Sequence, residues 1–190
     1  VLEDPGHGVS AQPRFEAQLY DAAGNPLPCT FYQVAAANGV PGFQNCGSYR
    51  WKDWTTFGVD VTQYLGQTVT LDVATGDCSL GGHWGYAYVS ASCTSLNLSA
   101  FYCQNGANNT ATLTAPDGFA NYVWSNAATG QQLATGQVAN VNIQGVDTVD
   151  CTITSANGCV ATLTTAVLPA EVIGDIVDSN VCNGYATVLF

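Results

Sequence analysis

Basic side chains are nearly missing from this chain: 190 residues carry 3 Lys and Arg against 14 Asp and Glu, a net charge of -11. Binding nucleic acid takes clustered cations on phosphates, and Arg14, Arg50 and Lys52 cannot provide a cluster, so nucleic acid is excluded as a partner. Charged residues make up 9% of the chain, where about 25% is usual. Its surface must therefore be hydrated mainly by Thr, Asn, Gln and Ser, which suits an extracellular protein. No run approaches the length of about 18 apolar residues that a membrane-spanning helix needs. Methionine is absent and the chain opens at Val1 without a basic-then-apolar leader, so a processed or excerpted chain is expected. The eight cysteines include no C-x-x-C pair and the two histidines lie far apart, which does not spell a zinc site. Disulfides are the reading that remains, and with them an oxidising compartment. What is present excludes disorder, because 47% hydrophobic residues with 11% aromatics exceed what disordered chains show.

Helical periodicity is also lacking, since Gly or Pro interrupts nearly every ten residues. Alternation with a period of two is common. Phe15, Ala17 and Leu19 alternate with polar neighbours, and so do Val69, Leu71 and Val73, the mark of half-buried strands. The same pattern recurs at 95–102, 109–115, 138–144, 148–154 and 160–167, with turns at Asp21-Ala22-Ala23-Gly24-Asn25-Pro26 and Ala115-Pro116-Asp117-Gly118. Many short strands between regular turn signals predict an all-β chain of tandem β-sandwiches.

Texture divides the chain. Trp51, Trp54 and Trp84 lie among Tyr49, Tyr86 and Tyr88 before Cys93; beyond it Thr, Ala and Asn dominate around Trp124. Cys103-Gln104-Asn105-Gly106 and the Thr110–Leu113 run are echoed by Cys182-Asn183-Gly184 and Ala186–Leu189, so residues 170–190 read as the start of a further repeat. The expected units are 1–93, 94–169 and 170–190. Residues 1–93 offer about six strands where a closed jelly roll has roughly eight, so this first unit reads as the C-terminal part of its sandwich. Leu168-Pro169-Ala170 reads as a linker.

Proximity along the chain predicts disulfides between Cys29 and Cys46 and between Cys78 and Cys93. Each closes a loop of roughly 15 to 18 residues, worth about 3 kcal/mol in the chain-entropy picture. Cys103, Cys151 and Cys159 compete in the second unit. Cys151 shares a strand face with Val149 and Ile153 and points inward, which favours Cys103 with Cys159 and leaves Cys182 to Cys151 or to a partner beyond Phe190.

Catalytic signatures are scarce. There is no G-x-S-x-G elbow, H-E-x-x-H helix or phosphate-cradling glycine loop. His7 reads as an exposed loop residue and His83 as a structural one. Asp53, Asp60, Asp72 and Asp77 could pair as glycosidase carboxylates, but their turn-like or outward positions are explained by solubility. No enzymatic activity is expected. Structural calcium is a candidate cofactor, with Glu3, Asp4 and Asp77 as oxygen donors. Tyr49 and Trp51 are the candidate contacts for a glycan or a partner protein, Trp51 being the ring expected at the surface. Trp54, Trp84 and Trp124 are expected in the cores.

Two strings carry a family resemblance. Val1-Leu2-Glu3-Asp4-Pro5-Gly6-His7 leading into Pro13-Arg14-Phe15-Glu16, then Trp54-Thr55-Thr56 through Val59-Asp60-Val61-Thr62-Gln63-Tyr64-Leu65-Gly66-Gln67 to Asp77–Tyr88, resembles the jelly-roll module of very large surface adhesins of gliding Bacteroidota exported by the type 9 secretion system. Residues 95–168 resemble the immunoglobulin-like or PKD-like repeats that follow this module, through Tyr122-x-Trp124-Ser125 and Asn157-Gly158-Cys159. The resemblance implies a jelly-roll-like sandwich followed by an immunoglobulin-like one. It also implies a cell-surface adhesin or filament that serves attachment and gliding motility. The expected partners are an extracellular polysaccharide or surface protein and neighbouring domains of the same long chain. Family members often carry an acid where Ser90 stands, which weakens the calcium expectation. Asp147-Thr148-Val149 fits the short O-glycosylation signal of that phylum, making Thr148 a candidate modification site. The alternative function is a carbohydrate-binding module of a secreted hydrolase.

Overall fold

The computed structural model describes residues 1–3, 6, 8–35, 42–102 and 109–169. Described strands are β1 (Leu2–Glu3), β2 (Arg14–Tyr20), β3 (Tyr32–Ala35), β4 (Phe43–Cys46), β5 (Tyr49–Lys52), β6 (Thr70–Gly76), β7 (Ser99–Tyr102), β8 (Thr110–Thr114), β9 (Asn121–Asn126), β10 (Gln132–Thr135), β11 (Val138–Asn142), β12 (Thr148–Thr154), β13 (Val160–Ala166) and β14 (Leu168–Pro169). The chain is all-β: two short 3₁₀ turns are the only helical pieces among the described residues. No described helix is long and apolar enough to cross a membrane.

The chain forms two compact units. The first comprises Val1–Ser95 with two later segments, Asp117–Phe119 and Ser155–Cys159; the second takes Leu96–Pro116, Ala120–Thr154 and Val160–Phe190. Cys103, Asp4, His7, Cys182 and the expected repeat at 170–190 lie outside the described residues.

The second unit shows most plainly how alternation builds a core. Its two four-stranded sheets have the orders β10-β9-β12-β13 and β11-β8-β7-β14. Tyr122, Trp124 and Asn126 on β9, Val149, Cys151 and Ile153 on β12, Ala111 and Leu113 on β8, and Ala139 and Val141 on β11 are buried, each two residues from the next. Since successive side chains of a strand point to opposite faces, one face of each of these strands is lined by apolar groups and the other meets water. On that wet face threonines dominate and hydrogen-bond across the strands, with Asp150 as one charged acceptor. Thr164 donates to Asp150 Oδ1 at 2.7 Å, Thr112 to Asn140 Oδ1 at 2.9 Å, and the Thr152 and Thr162 hydroxyls meet at 3.4 Å. Trp124 is wholly buried, as its place in the sequence predicts, and its Nε1–H donates to the carbonyl of Gly136 at 2.9 Å. Leu168-Pro169 is not a linker. It forms β14, pairing parallel to β7 with Leu168 opposite Phe101 and Pro169 opposite Tyr102. Proline is tolerated there because β14 is an edge strand.

The first unit is thinner. Two antiparallel three-stranded sheets, β1-β5-β4 and β3-β2-β6, enclose few buried side chains among the described residues, Pro13, Leu27 and Cys78 being three of them. β6 exposes Leu71 and Val73 despite its period-two pattern. Asp21 fixes the predicted turn after β2: its Oδ1 accepts from the amides of Ala23 (2.9 Å) and Asn25 (2.8 Å), and its Oδ2 from Asn25 Nδ2 (2.9 Å). At the other predicted turn, Gly118 has φ +90°, and a Cβ there would stand 2.6 Å from the amide nitrogen of Gly58, so only glycine fits.

The disulfide differs from the expected set. Cys29 is bonded to Cys159, 130 residues away, with Cα atoms 5.9 Å apart. This replaces the predicted Cys29–Cys46 and Cys103–Cys159 bridges. Cys46 closes β4, beside the Gly47-Ser48 turn that returns the chain into β5, and its thiol is free and exposed. The Cys78–Cys93 bridge is also not formed: Cys93 is a free exposed thiol, while Cys78 is buried beneath the turn at Ser79–Leu80, where its Sγ accepts from the Leu80 amide. Proximity failed as a guide because the fold brings the turn at Cys29 against the turn after β12.

Candidate functional site

The most distinctive surface of the first unit is a row of four aromatic rings. Tyr49 opens β5 opposite Glu3 of β1. Trp84, Tyr86 and Tyr88 alternate along a later segment, which is tied to the N-terminal strand by the Tyr86 amide donating to the Val1 carbonyl at 2.9 Å. The rings touch in succession. Tyr49 and Trp84 have centroids 5.6 Å apart, Trp84 and Tyr86 are stacked at 5.8 Å with 15° between planes, and Tyr86 meets Tyr88 edge-on at 5.8 Å. Yet the four residues remain 38%, 44%, 43% and 79% exposed in that order. Four such rings present on the order of 400 Å² of mostly apolar surface, the size of the largest patch on an ordinary folded chain, which is often functional.

Of the two expected contact residues, Tyr49 lies in this row, while Trp51, expected at the surface, is half-buried in β5. Trp54 and Trp84 depart from expectation the other way. Both were expected in the core, and both are exposed, Trp54 by 72%. The cause is the first unit's thin core: three-stranded sheets offer too little opposing surface to cover large rings. The signal for Trp84 and its neighbours was available in the sequence as the alternation Trp84-Gly85-Tyr86-Ala87-Tyr88, a run of rings on one side with small residues on the other.

The row contains no charged member. Its polar atoms are phenol hydroxyls, which donate and accept, and an indole N–H, which donates. Such a surface can stack on the apolar face of a sugar ring or on an aromatic or aliphatic side chain, and can hydrogen-bond at its margins. A chain with a net charge of -11 repels polyanions, so the chemistry favours neutral or cationic ligands over polyanionic ones.

Two of the acids considered for catalysis, Asp53 and Asp60, hold local structure. Asp53 Oδ1 accepts from the Trp54 amide at 2.8 Å and Asp60 Oδ1 from the Thr62 amide at 2.9 Å, each holding its own turn. Glu16 accepts from Arg14 Nε and Gln33 Nε2, both at 2.6 Å, and those bonds hold its carboxyl below the ordinary range. Among the expected calcium ligands, Asp77 is exposed, and Asp4 and the side chain of Glu3 lie outside the described residues. No group of three or more metal-ligating side chains converges among the described residues. Thr148 opens β12 half-buried, paired with Ala166.

Comparison with known protein families finds no match, and comparison with curated proteins finds none.

Proposed function

We propose that this chain is a non-enzymatic segment of a long extracellular adhesin or filament of the gliding-motility type, and that it grips its target through the ring row of Tyr49, Trp84, Tyr86 and Tyr88. The row carries the reading, because four rings in successive contact, left exposed on a sandwich, cost solubility unless something binds them. Support comes from the disulfide, which belongs to oxidising compartments, and from the low-charge surface of paired threonines. In this reading the β-sandwiches are spacers and platforms, and adhesion, gliding and type 9 export follow from the resemblance of residues 1–93 and 95–168 to such proteins.

The ring row also favours a second reading, a carbohydrate-binding module of a secreted hydrolase. Binding of the whole chain to an array of immobilised polysaccharides and bacterial surface proteins tests both. Wild-type protein is expected to bind a subset of surfaces, and Trp84→Ala to bind them about tenfold more weakly, the loss expected from removing about 1.4 kcal/mol of ring contact. Binding restricted to one soluble-enzyme substrate polysaccharide favours the second reading. Equal binding by wild type and Trp84→Ala removes the row from both.

A further inference from the structure

The Cys29–Cys159 bridge joins two turns that are held firmly by their own hydrogen bonds. Thr30, buried to 3% exposure, donates to the Leu27 carbonyl at 2.9 Å and accepts from Gln18 Nε2 at 2.6 Å and from the Leu19 amide at 3.2 Å. On the other side the Ser155 amide donates to the Cys159 carbonyl at 2.8 Å, and the Cys159 amide to Ser155 Oγ at 3.1 Å. Asn157 Nδ2 donates to the Phe31 carbonyl beside the bridge. Cys29 itself has φ +64°, the one non-glycine residue among those described in the left-handed region. Glycine is the default there. A cysteine in that place keeps a side chain whose use is the bond to Cys159.

The bridge closes a loop that carries β3 to β12 and, with them, all four rings of the row. Tension applied to the two ends of a chain follows covalent bonds. It runs through β1 and β2 to Cys29, crosses the sulfur–sulfur bond, and leaves through β13 and β14. Residues 30–158 lie off that path.

We propose that Cys29–Cys159 is a mechanical bypass: it diverts end-to-end load around residues 30–158, so that pulling can extend only the chain outside the bridge. The inference stands on the bridge and on chain connectivity, whatever the ring row binds. Its consequence is that the strands bearing Tyr49 and the segment bearing Trp84 are not in line with the load. Cys29 is exposed and Cys159 half-buried, so a thiol reductant reaches the bond in the folded protein. Dithiothreitol would supply two electrons and two protons, ending as its own cyclic disulfide and leaving two thiols.

Single-molecule extension of the whole chain, held by its two ends, tests this. The untreated protein is expected to show no extension step from residues 30–158. After dithiothreitol, the same chain is expected to lengthen further by about 450 Å, the reach of the 130-residue separation at about 3.4 Å per residue. A Cys29→Ser/Cys159→Ser variant should reproduce the reduced trace, and the untreated-versus-reduced comparison on wild type decides the matter if that variant does not fold. Untreated protein releasing the full length at once would overturn the bypass. So would non-reducing peptide mapping that joins Cys29 to Cys46.

Discussion

Replacing Trp124 tests how the second unit is held together. Its side chain is wholly buried between the sheets, and its Nε1–H is bonded to the Gly136 carbonyl at 2.9 Å. Truncation to Ala removes the largest fully buried side chain among the described residues and leaves a cavity, a loss of about 3 to 5 kcal/mol. It also strands the Gly136 carbonyl, which adds about 1 kcal/mol or more if water cannot reach it. Gly136 is held in place by its own amide, which donates to the Tyr122 carbonyl at 3.1 Å. Trp124→Phe keeps an apolar ring and loses the hydrogen bond, so its cost should be smaller, about 1 to 3 kcal/mol. Because a domain is stable by only about 5 to 15 kcal/mol, the Ala variant should bring the second unit near unfolding. Amide hydrogen exchange resolves the two units, which a single melting curve would merge. Protection at Cys151 and Ile153, whose strand pairs with β9, should fall by about 3 to 5 kcal/mol in Trp124→Ala and by less in Trp124→Phe. Protection at Leu19 on β2 should not change. A fall below about 1 kcal/mol in the Ala variant would refute the reasoning.

The remaining predictions concern thiols and acid. Cys46 and Cys93 are exposed and should alkylate readily in native protein, whereas burial pushes the Cys151 thiol up to about 11, so it should react only on unfolding; mass spectrometry of iodoacetamide-treated protein reads this, and early modification of Cys151 would contradict it. Asp21 is held below the ordinary carboxylate range by bonds from Asn25, Ala23 and Gly24, and Glu16 by Arg14 and Gln33. A carboxyl depressed in the folded state adds stability that is fully present above its unfolded pKa and is lost as pH falls through the folded value. The β2 region should therefore be insensitive to pH near neutrality and weaken in acid, below the ordinary carboxylate range, with Asp21→Asn removing part of that dependence. Carboxyl titration followed by NMR measures it, and an Asp21 that titrates at the ordinary value would contradict it.

Alternation was a sufficient guide wherever two sheets cover one another. Val149, Cys151 and Ile153 announce β12 because each is buried at every second place, and Trp124 is in the core as its neighbours imply. The same alternation at Val69, Leu71 and Val73 gives the strand β6 correctly and its burial wrongly, since nothing among the described residues covers it fully. Trp54 was illegible for the same reason: ring size argues for burial, and only the thinness of the first unit argues against it, whereas Trp84 was legible through its alternation with Tyr86 and Tyr88. The disulfide was beyond reach of sequence, because loop-closure reasoning ranks short loops first and the observed bridge spans 130 residues.

Adhesion under shear tests the central claim most directly. Beads coated with the whole chain should hold to a polysaccharide- or protein-coated surface against flow, and beads coated with a Tyr49→Ala/Trp84→Ala/Tyr88→Ala variant of unchanged circular dichroism should wash away at roughly a tenth of the shear or less, given about 1 kcal/mol per ring. Equal retention of the two kinds of bead would contradict the account.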